Sequence, residues 1–340
     1  MRNSSAARAG KAAGKLDARE AHFRIPSGIG LGEIFLRYLP APPAAGNSRA
    51  VLYVHGATFP SALSIAHRFD GRSWRDELVA AGYDVWGLDL LGFGESDRYP
   101  AMELPAEANP PLARAAEAGC QIEQAVRFIA ARHRLERVSI IAHSWGTIAA
   151  GWFAGRRPEL VERLVLFAPI TRRWAPAEQY PALGAWGLVT LEDQWKRFVE
   201  DVPLGEPPVL SERHFEEWGR AYLATDSDSG ARSPASVKTP SGPIADIVAA
   251  WHGELAYDPG QIKAPTAIVR GEWDSLVTDA DARWLFDALR AAPIKRDVKI
   301  SRATHLMHLE GARCALYRET QCFLDGRDRP VPQGGPHHDA

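Results

Sequence analysis

The sequence predicts an α/β fold in which a mostly parallel sheet is covered by helices on both faces and a helical cap is inserted late in the chain. Three observations predict it. Short apolar runs, too hydrophobic for a sheet edge, alternate with longer stretches of helical periodicity. The alternation lapses between about residues 170 and 260, where amphipathic pieces are broken by prolines and a polar stretch. It then resumes, so the sheet draws on two separated parts of the chain.

Residues 23–40 read as two short strands around the turn glycines Gly28, Gly30 and Gly32, and 40–47 is a loop by composition. A fully apolar strand at 51–54 ends in His55-Gly56-Ala57-Thr58-Phe59-Pro60. A helix over 74–81 leads to a second buried strand at 83–88, whose exit at 89–97 is rich in turn residues. Helical periodicity at 121–131, a strand at 138–142, a helix at 145–154 and a strand at 164–168 complete the first part. Within the cap the amphipathic pieces are 191–198 and 213–222, and 225–243 is polar. The second part supplies a strand at 266–270, a helix at 279–289, a strand at 297–301 and a last helix at 309–324. The expected organisation is a core over 22–169 and 261–324, a cap over 170–260, and loose ends at 1–21 and 325–340.

A chain of 340 residues can bury one large core and a subsidiary domain, and 46% hydrophobic content is that of an ordinary globular protein. A formal charge of -2 with dispersed arginines gives no pull toward nucleic acid. Cys120, Cys314 and Cys322 form neither an even disulfide framework nor a pair of metal ligands, so reduced thiols are expected. The first 21 residues lack the apolar core of a secretory signal, and no later stretch is long and apolar enough for a bilayer. The expected location is the cytoplasm, without a membrane partner.

Chemistry enters at Ile140-Ile141-Ala142-His143-Ser144-Trp145-Gly146-Thr147, where an apolar strand breaks into a helical pattern with a hydroxyl at the bend. A free serine hydroxyl is a poor nucleophile at neutral pH and needs a base to take its proton. His305, just past the final expected strand, is the candidate base; Asp274, immediately after the strand at 266–270, is the candidate acid that would hold the other imidazole nitrogen. In a parallel sheet such residues emerge together beyond the carboxyl ends of the strands. The early N–H groups of the helix after Ser144 are unpaired and its dipole favours negative charge. The N–H groups of Trp145 and Ala57 could therefore form an oxyanion hole, each donor being worth about 3 kcal/mol in the transition state.

At these residues the chain resembles the α/β-hydrolase family, in its serine-nucleophile branch with a helical cap. The resemblance rests on Val54-His55-Gly56, the turn at 89–96, the elbow Ala142-His143-Ser144-Trp145-Gly146, the segment Gly271-Glu272-Trp273-Asp274 and Thr304-His305, and it spans about residues 23–324. It implies Ser144 as nucleophile, Asp274 as acid, His305 as base, Ala57 and Trp145 as oxyanion donors, and a cap placed after the family's sixth strand. Ala142 stands where the common elbow has glycine; a methyl group fits beneath the turn where a bulky side chain would clash. Dehalogenases and epoxide hydrolases of the family usually carry an aspartate nucleophile, and Ser144 argues against both.

Competing readings attach to each residue. Asp274 could cap the following helix, as could Asp279 or Asp281. His308 competes with His305 as base, or supports the site together with Glu310. His143 reads as a core histidine that points away from the nucleophile, and His55 as a scaffold for the oxyanion loop rather than a metal ligand. Gly92 and Gly94 lack the longer glycine pattern and lysine of a phosphate loop. Aromatic residues concentrate in the cap, from Trp174, Tyr180 and Trp186 through Trp195, Phe198, Trp218 and Tyr222, and most serve its own packing. Thr58, Phe59, Trp145, Trp186 and His308 are the expected substrate contacts, favouring an apolar or aromatic small molecule.

The expected activity is hydrolysis of a carboxylic ester or lactone through an acyl-enzyme, with no cofactor and no metal. Amide hydrolysis is the nearest alternative, because the same acyl-transfer machinery can expel an amine that is protonated and oriented; Ser144-Trp145-Gly146 also resembles proline iminopeptidases, with Ala142-His143 where they usually have two glycines. A substrate ammonium would then need an acid such as Glu178, Glu192, Asp193, Glu216 or Glu217. Acyl transfer to a non-water acceptor and a non-catalytic ligand receptor use the same scaffold, and the exposed face of the cap would allow a homo-oligomer.

Overall fold

A computed structural model describes residues 15–43, 49–174 and 182–326. Strands β1 (Ala21–Pro26) and β2 (Glu33–Leu39) form the expected hairpin. Next come β3 (Ala50–Val54), helix α1 (Trp74–Ala80), β4 (Asp84–Asp89), α2 (Ala115–His133), β5 (Val138–His143), α3 (Gly146–Arg156) and β6 (Val161–Phe167). Before returning to the sheet the chain builds an insert: β7 (Trp186–Thr190), α4 (Leu191–Val199), α5 (Glu212–Leu223), β8 (Ser236–Pro240) and α6 (Gly242–Trp251). The second core segment is β9 (Thr266–Gly271), α7 (Asp279–Ala288), β10 (Lys295–Ile300) and α8 (Arg313–Leu324).

The sheet runs β1-β2-β4-β3-β5-β6-β9-β10. Pairings from β4 through to β10 are parallel, and those of β1 with β2 and β2 with β4 are antiparallel. Every residue of β3, β5 and β9 is buried. Helices on both faces leave no polar side for those strands, which is why residues 51–54, 140–142 and 267–269 read as apolar runs. Helices α2, α3 and α7 cover one face, and α1 and α8 the other. Side chain caps fix several helix starts: Ser73 and Asp76 at α1, Thr190 and Asp193 at α4, and Thr278 and Asp281 at α7 each form a reciprocal capping box.

The insert holds the expected helices α4 and α5, together with elements that periodicity does not reveal. Strand β8 lies inside the stretch read as polar, and it pairs antiparallel with β7 in a separate two-stranded sheet. Its sequence, Ser-Val-Lys-Thr-Pro, has one strongly apolar residue although most of the strand is buried, so hydrophobic patterning does not reveal it. Phe198, Leu210, Trp218, Tyr222 and Val237 pack with Phe59, Leu63, Leu306 and Leu309 of the core in one aromatic-rich cluster. Tyr180 and Glu178 lie outside the described residues.

Part of the amino-terminal segment expected to be loose is instead anchored. Glu20 is buried and accepts hydrogen bonds from Arg37 at 2.6 Å and Arg75 at 2.5 Å, both guanidinium groups being buried as well. It joins β2 to α1. Removing the carboxylate leaves two buried cations uncompensated, so Glu20→Ala is expected to lower stability by about 3–5 kcal/mol, read by urea unfolding.

Candidate active site

Strand β5 ends at His143, and Ser144 follows in the left-handed region with φ 53°, unusual for a residue with a side chain. Its N–H donates to Phe167 O at 3.0 Å, while its own carbonyl accepts from the N–H of Thr147 at 2.9 Å and the Thr147 hydroxyl at 2.6 Å. Helix α3 begins immediately afterwards. A Cβ on Gly146 would sit 2.4 Å from His55 O, so only glycine lets the helix start this close to the end of β3.

The Ser144 hydroxyl donates to His305 Nε2 at 2.8 Å. His305 Nδ1 donates to Asp274, with both carboxylate oxygens at 3.0 Å. A carboxylate only accepts, so it fixes the tautomer with the proton on Nδ1 and leaves the Nε2 lone pair for the serine. All three side chains are at least 94% buried. Asp274 also accepts the Leu276 N–H at 2.9 Å, and His305 sits in the loop between β10 and the short 3₁₀ turn Met307–Leu309.

A family model described as the alpha/beta hydrolase fold matches residues 49–312. The chain belongs to the α/β-hydrolase family. Solved structures agree on the fold. A point mutant of potato epoxide hydrolase superposes with a TM-score of 0.61 at 18% identity, covering 90% of this chain and 99% of that one. For a serine hydrolase of the polyaromatic-hydrocarbon-degrading bacterium Cycloclasticus zankles the values are 0.58, 16%, 92% and 100%. For a thermophilic esterase from Thermogutta terrifontis they are 0.55, 19%, 90% and 98%. No curated protein sequence matches the chain.

Within this α/β-hydrolase scaffold the remaining expected residues fall into distinct places. Ala57 and Thr58 are partly exposed on the loop after β3. A Cβ on the neighbouring Gly56 would lie 3.3 Å from Ser144 Cβ, which puts this loop against the serine. His55 is a scaffold residue: its Nδ1 donates to Gly56 O at 2.7 Å and its Nε2 accepts the Leu90 N–H at 3.2 Å. Burial lowers its pKa. His143 donates from Nε2 to His305 O at 3.1 Å, so it supports the backbone of the histidine loop.

The other residues expected to contact substrate have identifiable partners in the fold. The Trp145 indole is wholly buried and donates to Asp246 at 3.0 Å, so its side chain is engaged within the core. Phe59 is buried edge-to-face against Trp218, with ring centroids 5.2 Å apart. Trp186 is partly buried; it donates to Leu104 O and carries Lys238 Nζ over its ring at 4.2 Å. His308 is buried between Phe59, His143 and Phe167, and burial depresses its pKa to about 3, which keeps the ring neutral. Nor does Glu310 pair with His308: it accepts from both the N–H and the hydroxyl of Thr304, the residue before His305. Glu192, Asp193, Glu216 and Glu217 face solvent on α4 and α5, Asp193 serving as a cap and Glu217 facing Arg213.

Sequence reasoning missed the insert's grip on the site. Ser275, next to Asp274, donates to Asp201 of the insert at 2.5 Å. Trp218 donates to Leu63 O at 3.0 Å, beyond the loop that carries Phe59. Asp246, the only charged residue of α6, holds Trp145. A lone acid on an otherwise apolar helix was the available signal. Among the described residues, no group of three or more His, Cys, Asp and Glu could hold a metal, and no helix is long and apolar enough to cross a membrane.

Burial raises the Glu310 pKa from 4.5 to about 7. The folded protein thus keeps this proton over a range in which the unfolded chain releases it. Stability should fall as pH rises from 4.5 to about 7 and then level off, by on the order of 3 kcal/mol in total. Urea unfolding of wild type against Glu310→Gln, which cannot titrate, should isolate this slope.

Proposed function

We propose that the protein is a serine hydrolase that cleaves a carboxylic ester or lactone of a moderately apolar small molecule through an acyl-enzyme. One observation carries the reading: a buried imidazole accepts the Ser144 proton at 2.8 Å while its other nitrogen is held by Asp274. His305 would take the hydroxyl proton as Ser144 Oγ attacks the carbonyl carbon. Asp274 would stabilise the imidazolium without taking the proton. Collapse of the tetrahedral intermediate breaks the C–O bond, and His305 returns the proton to the leaving alcohol. Water, deprotonated by the same histidine, then releases the acid and restores Ser144.

The N–H groups of Ala57 and Trp145 would receive the oxyanion, supported by the approach of the Gly56 loop to Ser144 and by the start of α3 just beyond it. Glu192, Asp193, Glu216 and Glu217 face solvent on α4 and α5, which supports esters over aminoacyl amides.

Ser144→Ala is expected to abolish labelling by a fluorophosphonate and to lower kcat on aryl esters by about 10,000-fold or more. Undiminished turnover in that variant would reject the proposal. Parallel assays on aryl esters, lactones and aminoacyl amides test the bond class, and turnover of amides alone would defeat the ester assignment.

A further inference from the structure

Asp246 is 4% exposed, yet it lies on α6 of the insert, far from Ser144 in sequence. Its carboxylate accepts three hydrogen bonds, from Arg114 Nε at 2.5 Å, the Ala115 N–H at 2.7 Å and the Trp145 indole at 3.0 Å. Arg114 and the first N–H of α2 compensate this carboxylate directly. Helix α2 has no side-chain cap of its own at Arg114, and Asp246 supplies one from another element.

The third bond has no part in capping. It fixes the side chain of the residue that follows Ser144, and Ser144 occupies a left-handed backbone conformation that persists only where its surroundings over-determine it. We infer that Asp246 is a positioning residue for the reaction: by pinning the Trp145 indole it holds the Trp145 N–H toward the oxyanion and keeps the Ser144 turn in its reactive form. The inference rests on the serine-hydrolase reading above. Misplacing a donor by about 1 Å can cost on the order of 100-fold in rate while leaving ground-state binding nearly intact. Loss of this pin should therefore lower kcat and spare KM.

The test uses the full chain as wild type, Asp246→Ala, Trp145→Phe and the double variant, with aryl-ester kinetics and the second-order rate of fluorophosphonate labelling at Ser144; alanine is chosen because an asparagine oxygen could still accept the indole N–H. Each single variant is expected to lose about five-fold or more in both kcat and labelling rate, with KM changed by less than about two-fold. The double variant should fall close to the more impaired single, because both remove one shared bond. Losses below five-fold, a loss expressed mainly in KM, or a double variant equal to the product of the singles would each overturn the inference. Should Asp246→Ala not fold, Trp145→Phe decides by the same thresholds, since it leaves the Arg114 and Ala115 bonds in place. Wild type that fails to label at Ser144 sinks the hydrolase reading and this inference with it; labelled wild type with equally reactive variants sinks this inference alone.

Discussion

The left-handed turn at Ser144 is the constraint on which the rest of the site depends. A residue with a Cβ resists this conformation, and it persists because the neighbourhood leaves no alternative. Phe167 O takes its N–H, Thr147 takes its carbonyl, and the missing side chains of Gly56 and Gly146 let β3, β5 and α3 converge within contact distance. The serine oxygen is thereby directed outward toward His305. Relaxation to an ordinary backbone would swing the hydroxyl away and break the 2.8 Å bond.

Around this turn the molecule fixes one partner after another by hydrogen bonds to backbone. Thr304 is tied to Glu310, His305 O receives His143, and Asp274 accepts the Leu276 N–H. The histidines nearby have different electrostatic circumstances. His55, His143 and His308 are buried with burial lowering their pKa, so they act as uncharged struts. His305 alone among these four faces a carboxylate within hydrogen-bonding distance, and only there is an imidazolium directly compensated. On the proposed reading, this contrast confines the mobile proton to one ring.

Much of this was legible in the sequence because the central strands are covered on both faces. The strands β3, β5 and β9 announce themselves as apolar runs, and Ser144, Asp274 and His305 each follow a strand of that core. What was illegible has a common physical cause. Strand β10, Lys-Arg-Asp-Val-Lys-Ile, lies at the sheet edge and is partly exposed, so its start at Lys295 precedes the expected one. Strand β8 is largely buried but carries one strongly apolar residue, so hydrophobic patterning does not disclose it, and the bond from Trp145 to Asp246 spans 101 positions of sequence. Glu310 was placed with its neighbour His308, whereas the fold turns its carboxylate back to Thr304. Local spacing cannot disclose such partners; only the closed fold does.

The insert meets the core at Trp145 through Asp246, at Ser275 through Asp201, and at the Phe59 loop through Trp218. These footholds touch the turn, the acid segment and the loop after β3, one on each limb of the machinery. A lid that lifted away as one body would release all three simultaneously. On the proposed reading, the seat of the insert and the geometry around Ser144 are thus mechanically linked, so that loosening one would loosen the other.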